Sequence, residues 1–306
     1  MLLVALMYAL LASTFTIGKY TLNYSPPFFL VAYRMFLGGG ILISYYIWKH
    51  KRLPRVAKQD IHWFALVAMI HIFIPFFCEF WAMQFISSIK TNLLYSVTPF
   101  VTALLAYFMY SEHLTRKKII GMIIGFFGLF PVLFGQATPD EINLELFRFS
   151  LPEAAIIVAM VSAAGAWFVV KKLMDQQYSL IAINGVAMIA GGVLLACSSV
   201  CFEIMPHYAQ THSLSVVTNI QQFLVWATLL TLVANVIVYN FYGWLLKKYS
   251  LTFLSFAGFL CPLFGALLGW LFLSEQITVY FIISLLLVGF ALYIFYQDEL
   301  RGSVER

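Results

Sequence analysis

"TPFVTALLAYFMYSEHLT" occupies residues 98–115 and "CPLFGALLGWLFLSEQIT" occupies residues 261–278. Each runs from a proline through apolar and small residues to Ser-Glu and then a threonine. Pro99 and Pro262 lie 163 residues apart, and so do Ser111 and Ser274, Glu112 and Glu275, and Thr115 and Thr278. The same separation links Trp63 to Trp226, Trp81 to Trp244 and Ser87 to Ser250. Aliphatic coincidences are cheap in an apolar chain, but coincidences of Trp, Pro and Glu at one offset are not. Nearer the N-terminus the offset falls to 153, where Gly38–Gly39 meets Gly191–Gly192. A longer loop in the second half, "EIMPHYAQTHSLSVVTNIQQ" at 203–222, accounts for the difference. The chain therefore reads as one unit written twice.

The composition says what solvent that unit sees. Of 306 residues, 62% are hydrophobic and 10% are charged, against about 25% charged in a soluble domain. So few charges cannot cover a globular surface, and the expected solvent is lipid. The net charge of +5 forms no basic face, because the charges sit in short gaps between apolar runs; nucleic acid is excluded as a partner. The four cysteines, Cys78, Cys197, Cys201 and Cys261, lie inside apolar runs without a CxxC pair and read as small buried hydrophobes. The opening "MLLVALMYALLASTFTIG" has no basic start of the kind a signal peptide carries and reads as a retained first helix.

A spanning helix needs about 20 mostly apolar residues. Ten such spans are expected, near 2–20, 28–48, 62–83, 90–110, 118–135, 152–171, 181–202, 223–246, 252–273 and 278–296. The runs are continuous rather than alternating, which favours helices over strands. The distribution of basic residues fixes an orientation. With a cytoplasmic N-terminus, 14 of the 18 Lys and Arg fall in cytoplasmic segments, three on the far side, and Arg34 within a span. Both termini are expected in the cytoplasm. The expected organisation is a five-helix repeat over 1–136, a second over 150–297 and a short cytoplasmic tail over 298–306. Because five is odd, the second repeat enters the membrane upside down. That is the inverted-repeat plan of secondary transporters, whose substrate site lies near the midplane.

Two five-span halves, each with a Pro-bearing fourth helix, a "SEHLT" or "SEQIT" corner and a Gly-rich fifth helix ("GMIIGFFGLF", "LLLVGFAL"), resemble the drug/metabolite transporter superfamily, and within it the EamA-type branch. The resemblance covers nearly the whole chain. It implies an all-α fold in which helices 1–4 and 6–9 surround a central cavity and helices 5 and 10 lie outside it. It also implies a carrier working by alternating access in the cytoplasmic (inner) membrane of a bacterium. The family includes carriers of amino acids, sugar phosphates, nucleotide sugars and S-adenosylmethionine, and it shares no single substrate motif.

Candidate site residues follow from the cost of polar groups in lipid. Arg34 lies about six residues inside span two and Glu79 about four residues inside span three, so their depths agree within roughly a turn. Arg34 suits a carboxylate or phosphate, and Glu79 an amine or a proton; a structural ion pair between them is the alternative. Asn235 is the deepest amide and is read as cavity-lining, while Asn184 and Asn240 need a neighbouring helix or the cavity. Tyr95, Trp81 and Tyr239 lie on helices that the family pattern places around the cavity and could stack on a planar or cationic substrate. His71 reads as a packing residue or a proton relay, and Lys19 as a side chain reaching the interface. Trp63 reads as interfacial. Glu112 and Glu275 read as helix-start caps, and "GMIIG" and "GALLG" as close helix packing.

One deep positive charge, one deep negative charge and many aromatics suit a zwitterion with a planar part, such as an amino acid, S-adenosylmethionine or S-adenosylhomocysteine. An intramembrane enzyme or a channel is the alternative class. The sequence has no HExxH, no GxSxG, no paired intramembrane aspartates and no filter-like repeat. No cofactor is expected, and the partners are a small metabolite and the bilayer, with a homodimer left open.

Overall fold

The computed structural model describes residues 2–82, 84–86, 91, 94–110, 115–136, 150–211, 213–273 and 279–304, with only the backbone described at a few helical positions. Helix lies in each of the ten stretches expected to span. These are α1 (Leu2–Thr21), α2 (Pro27–His50), α3 (Lys58–Ala82), α4 (Thr98–Tyr110), α5 (Arg116–Gln136), α6 (Leu151–Asp175), α7 (Leu180–Thr211), α8 (Ile220–Leu245), α9 (residues 251–273) and α10 (Val279–Val304). No strand occurs among the described residues. Among the described residues, seven helices are long and apolar enough to cross a membrane by themselves, and Leu2–Gly18 and Thr98–Met109 are shorter apolar helices. The corner residues Ser111, Glu112, Ser274, Glu275 and Thr278, together with Lys90, Arg148 and the Lys19 side chain, lie outside the described residues.

The chain forms two compact units that cut across the sequence halves. One holds residues 14–81 and 165–244 and is built on α2, α3, α7 and α8. Its centre is the seam between α2 and α7, where glycines replace side chains. A Cβ on Gly39 would lie 2.9 Å from Ile189 Cγ1, and one on Gly192 would lie 3.0 Å from Met35 Cβ. In lipid, helices associate through this kind of close backbone approach. Val31, Met35, Leu42, Ile72, Met188 and Leu195 fill the space around the seam.

The seam repeats itself. A Cβ on Gly38 would meet Asn235 Cβ at 2.9 Å, and one on Gly191 would meet Ile72 Cβ at 2.6 Å. Gly38 and Gly191 are partners at the 153 offset, and Ile72 and Asn235 at the 163 offset. Helices α3 and α8 also widen into π-helical stretches at matched places, Ala68–Phe73 and Thr231–Val238. Such stretches often accompany functional sites.

The other unit holds residues 1–13, 82–164 and 245–306. Here α5 packs along α10, with Gly121 facing the Ala291 carbonyl at 3.2 Å and Gly128 facing Leu287 at 2.9 Å. Gly125, the second glycine of "GMIIG", would meet the Phe259 ring at 2.6 Å. Gly265, the first glycine of "GALLG", behaves differently: nothing lies within 4 Å of a Cβ there, so this glycine makes no close helix approach. Helix α9 breaks between Ala257 and Leu260, just before Pro262. At the break the Gly258 N–H turns to the Ser255 carbonyl, which frees the carbonyl of Leu254. The Tyr8 hydroxyl donates to that carbonyl at 2.5 Å, as an irregular backbone at membrane depth requires. A turn at residues 96–97 likewise immediately precedes α4.

The start of α5 is capped by Thr115, whose Oγ1 accepts the Lys118 N–H at 3.2 Å and donates to Asp298 at 2.6 Å. Phe108, Phe127 and Leu286 are 73%, 61% and 68% exposed, so apolar faces of α4, α5 and α10 point outward as a lipid-facing surface would. Cys197 and Cys201 are exposed rather than buried. Their face of α7 is apolar and outward, which in lipid satisfies a small hydrophobe as well as a core does. All four cysteines are free, and no metal-holding cluster occurs among the described residues.

Candidate substrate-binding site

Arg34 sits on α2 seven residues past Pro27, about 10 Å into the helix at 1.5 Å per residue. It is 6% exposed. Gly38 lies one turn further along the same face and lets α8 approach until Asn235 meets the guanidinium. The Arg34 Nε and Nη2 atoms donate to Asn235 Oδ1 at 3.3 and 3.2 Å. The Asn235 amide nitrogen in turn donates to Met35 Sδ at 3.4 Å. One carbonyl oxygen thus takes two donors of a five-donor fork. The guanidinium also lies 5.7 Å from the centroid of the Phe76 ring, and Tyr239 and Glu79 are its electrostatic neighbours.

Four of the six expected site residues therefore gather: Arg34, Asn235, Glu79 and Tyr239. Trp81 is half-buried near the end of α3, two residues after Glu79. Tyr95 belongs to the other compact unit, where its carbonyl accepts the Thr98 hydroxyl at 2.5 Å.

Tyr239 joins this group to a second. His71, in the π-helical stretch of α3, is 3% exposed. Its ring stands edge-on to Trp167 at 4.6 Å and lies 5.0 Å from Tyr239, and Trp167 lies 4.3 Å from Tyr242. Asn184 finds a neighbouring helix, donating to Asn240 Oδ1 at 3.3 Å, while Asn240 donates to the Val236 carbonyl at 2.8 Å.

Three groups of polar contacts are not legible in the sequence. Glu203 of α7 accepts the N–H groups of Phe28 at 2.6 Å and Phe29 at 2.8 Å, together with the Ser199 hydroxyl at 2.7 Å. Its carboxylate satisfies the open start of α2, which the Pro26–Pro27 pair leaves without a side-chain cap. The two prolines signalled that need, but nothing in the sequence named the donor helix. Tyr178 donates to Asp60 at 2.7 Å and accepts the Ala57 N–H at 3.2 Å. Lys172 lies 3.6 Å from the centroid of the Trp63 ring, so this tryptophan holds a cation as well as an interfacial position.

A buried guanidinium thus lies with Asn235, Glu79 and Tyr239 around it and aromatic rings nearby. The EamA-like transporter family matches residues 1–134 and 151–297. The chain belongs to the EamA-like transporter family. Among its relatives, an S-adenosylmethionine/S-adenosylhomocysteine transporter of Chlamydia muridarum is 30% identical over 95% of this chain and 89% of its own. One of the same description from Chlamydia trachomatis serovar L2 is 30% identical over 95% and 86%. The Bacillus subtilis protein described as uncharacterized transporter YoaV is 25% identical over 86% and 85%. A solved crystal structure shares the fold over 97% of both chains, with a TM-score of 0.74 at 17% identity. This EamA-like protein is a multi-pass membrane transporter, and the bilayer and a small molecule are its partners.

Proposed function

We propose that this protein carries S-adenosylmethionine and S-adenosylhomocysteine across the cytoplasmic membrane as a secondary transporter working by alternating access. The observation that carries the reading is the buried Arg34 guanidinium, fixed by Asn235 with Glu79 and Tyr239 beside it. Both S-adenosyl compounds bear a carboxylate, an ammonium group and a flat base. Arg34 receives the carboxylate through donors that Asn235 leaves open. Glu79 faces the ammonium group or the sulfonium, and the aromatic rings take the flat part. The 30% identity to two transporters of that description supports the substrate. No hydrolytic or redox chemistry is needed, so the protein acts as a carrier and not as an enzyme.

The matched glycine contacts, of α2 with α8 at Gly38 and of α7 with α3 at Gly191, and the matched π-helical stretches support the inverted pair of repeats, over 1–136 and 150–297. Alternating access then follows from two similar halves facing opposite sides.

Uptake into a heterologous host that makes no such carrier tests the substrate. Labelled S-adenosylmethionine should enter saturably, and excess S-adenosylhomocysteine should block entry. Saturable uptake of a free amino acid with no uptake of the S-adenosyl compounds would replace this substrate by an amino acid.

The orientation has its own test. With the 14-to-3 basic asymmetry, reporter fusions after residues 56, 115 and 174 should read as cytoplasmic and those after 145 and 210 as external. Reversal at two or more sites would reject both the orientation and the inverted repeat.

A further inference from the structure

We infer that His71, framed by Trp167, Tyr239 and Tyr242, is the subsite for the flat nitrogen heterocycle of the transported molecule, a ring with an amine and a ring nitrogen on one edge. The inference rests on the transport reading and adds the recognition of the base to it.

His71 is 3% exposed, and neither of its ring nitrogens has a hydrogen-bond partner among the described residues. A polar group left unpaired at this depth is costly. A histidine kept only for packing would be served as well by a phenylalanine. Neutral imidazole offers one donor and one acceptor, which matches an aminated heterocycle presenting the same two functions. The surroundings are those of a flat guest. Trp167 and Tyr239 lie against the imidazole and Tyr242 lies against Trp167, and each of the three is only partly buried, so flat aromatic surface surrounds a buried polar centre.

Position strengthens the case. Tyr239 contacts the His71 ring at 5.0 Å and is also an electrostatic neighbour of Arg34. The anion-binding and aromatic groups therefore meet at one residue, and one elongated molecule with a carboxylate at one end and a base at the other can engage both. The widening of α3 over Ala68–Phe73 sets His71 in this place, as the matching stretch of α8 sets Asn235.

The test uses the full-length protein in proteoliposomes with labelled S-adenosylmethionine, and unlabelled adenosine and methionine as competitors. Adenosine carries the base without the amino acid, and methionine the reverse. In the wild type both should compete. His71→Phe keeps the ring and removes both nitrogens. It should raise half-saturation by roughly tenfold, the size of one lost buried hydrogen bond, and weaken adenosine competition by about the same factor while leaving methionine competition unchanged. His71→Gln keeps a donor and an acceptor and should retain most of the affinity.

Normal adenosine competition in His71→Phe overturns the inference, and so does a wild type that transports S-adenosylmethionine without being inhibited by adenosine. The second result needs no variant, so it decides the matter even if both substitutions prevent folding. A wild type that moves no S-adenosyl compound overturns the substrate reading and this subsite with it.

Discussion

Replacing Arg34 with glutamine is expected to lower S-adenosylmethionine transport about 100-fold while leaving most of the protein in the membrane. Loss of a buried, hydrogen-bonded charge partner costs about 2–5 kcal/mol in recognition, and each 1.4 kcal/mol is about tenfold. Glutamine keeps part of the length and can still donate to Asn235 Oδ1, which Arg34 reaches at 3.2 Å, so the α2–α8 contact survives. Arg34→Lys should fall between the two, because an ammonium group keeps the charge but not the planar fork.

Glu79→Gln and the double variant complete the cycle. If Arg34 and Glu79 only lock helices together, each single change strands a buried charge and is strongly destabilising. The double change should then restore folding and transport together. If Arg34 instead holds the carboxylate, the double variant folds and remains inactive. Surface yield and saturable uptake, measured together on all three variants, separate these outcomes. Well-expressed single variants with unchanged affinity for carboxylate-bearing substrates would remove Arg34 from the site.

The second large effect is expected at the glycine seam. Gly191→Ala would place a methyl group 2.6 Å from Ile72 Cβ and 3.0 Å from the Ala68 carbonyl. Neither atom is the free end of a flexible chain, so α3 and α7 must separate. Overpacking of this kind costs about 1–3 kcal/mol and occasionally more, and the yield of folded protein should fall severalfold. Ile72→Ala should restore part of it. Gly38→Ala pushes instead on Asn235 Cβ at 2.9 Å and moves the amide away from Arg34, so transport should fall more than yield. Gly40→Ala and Gly265→Ala serve as controls, because nothing lies within 4 Å of either position. Thermal unfolding of the purified proteins checks the order. Equal stability of Gly191→Ala and Gly40→Ala would contradict the tight seam.

How much of this was legible in the sequence depends on what each residue costs in lipid. Arg34 and Asn235 stand out because a charge or amide deep in an apolar run needs a partner. The sequence could not say that the two are partners, since that follows from α2 meeting α8 at a glycine. His71 was equally visible as a lone polar residue, but its missing hydrogen bonds and its aromatic neighbours Trp167 and Tyr239 exist only in three dimensions. Glu203 was hidden because it lies at the end of an apolar run, where a carboxylate is cheap and attracts no notice; its role comes from the bare start of α2. Cys197 and Cys201 were read as buried because an apolar run does not show which of its faces meets lipid and which meets protein. The same ambiguity hid that Gly265, the first glycine of "GALLG", has no close neighbour. The repeated phrase identified the family plan, while the corner glutamates that end it, Glu112 and Glu275, lie outside the described residues.

The proposed binding of S-adenosyl compounds around Arg34 requires that the protein exchange them across a bilayer. Counterflow in proteoliposomes tests it most directly. Vesicles containing the purified protein are loaded with unlabelled S-adenosylhomocysteine and diluted into labelled S-adenosylmethionine. Label should accumulate rapidly and saturably, only when the internal substrate is present and not in protein-free vesicles, and the rate should fall about 100-fold with Arg34→Gln. Accumulation no greater than in protein-free vesicles, under conditions where the same preparation exchanges another metabolite, would contradict the proposal.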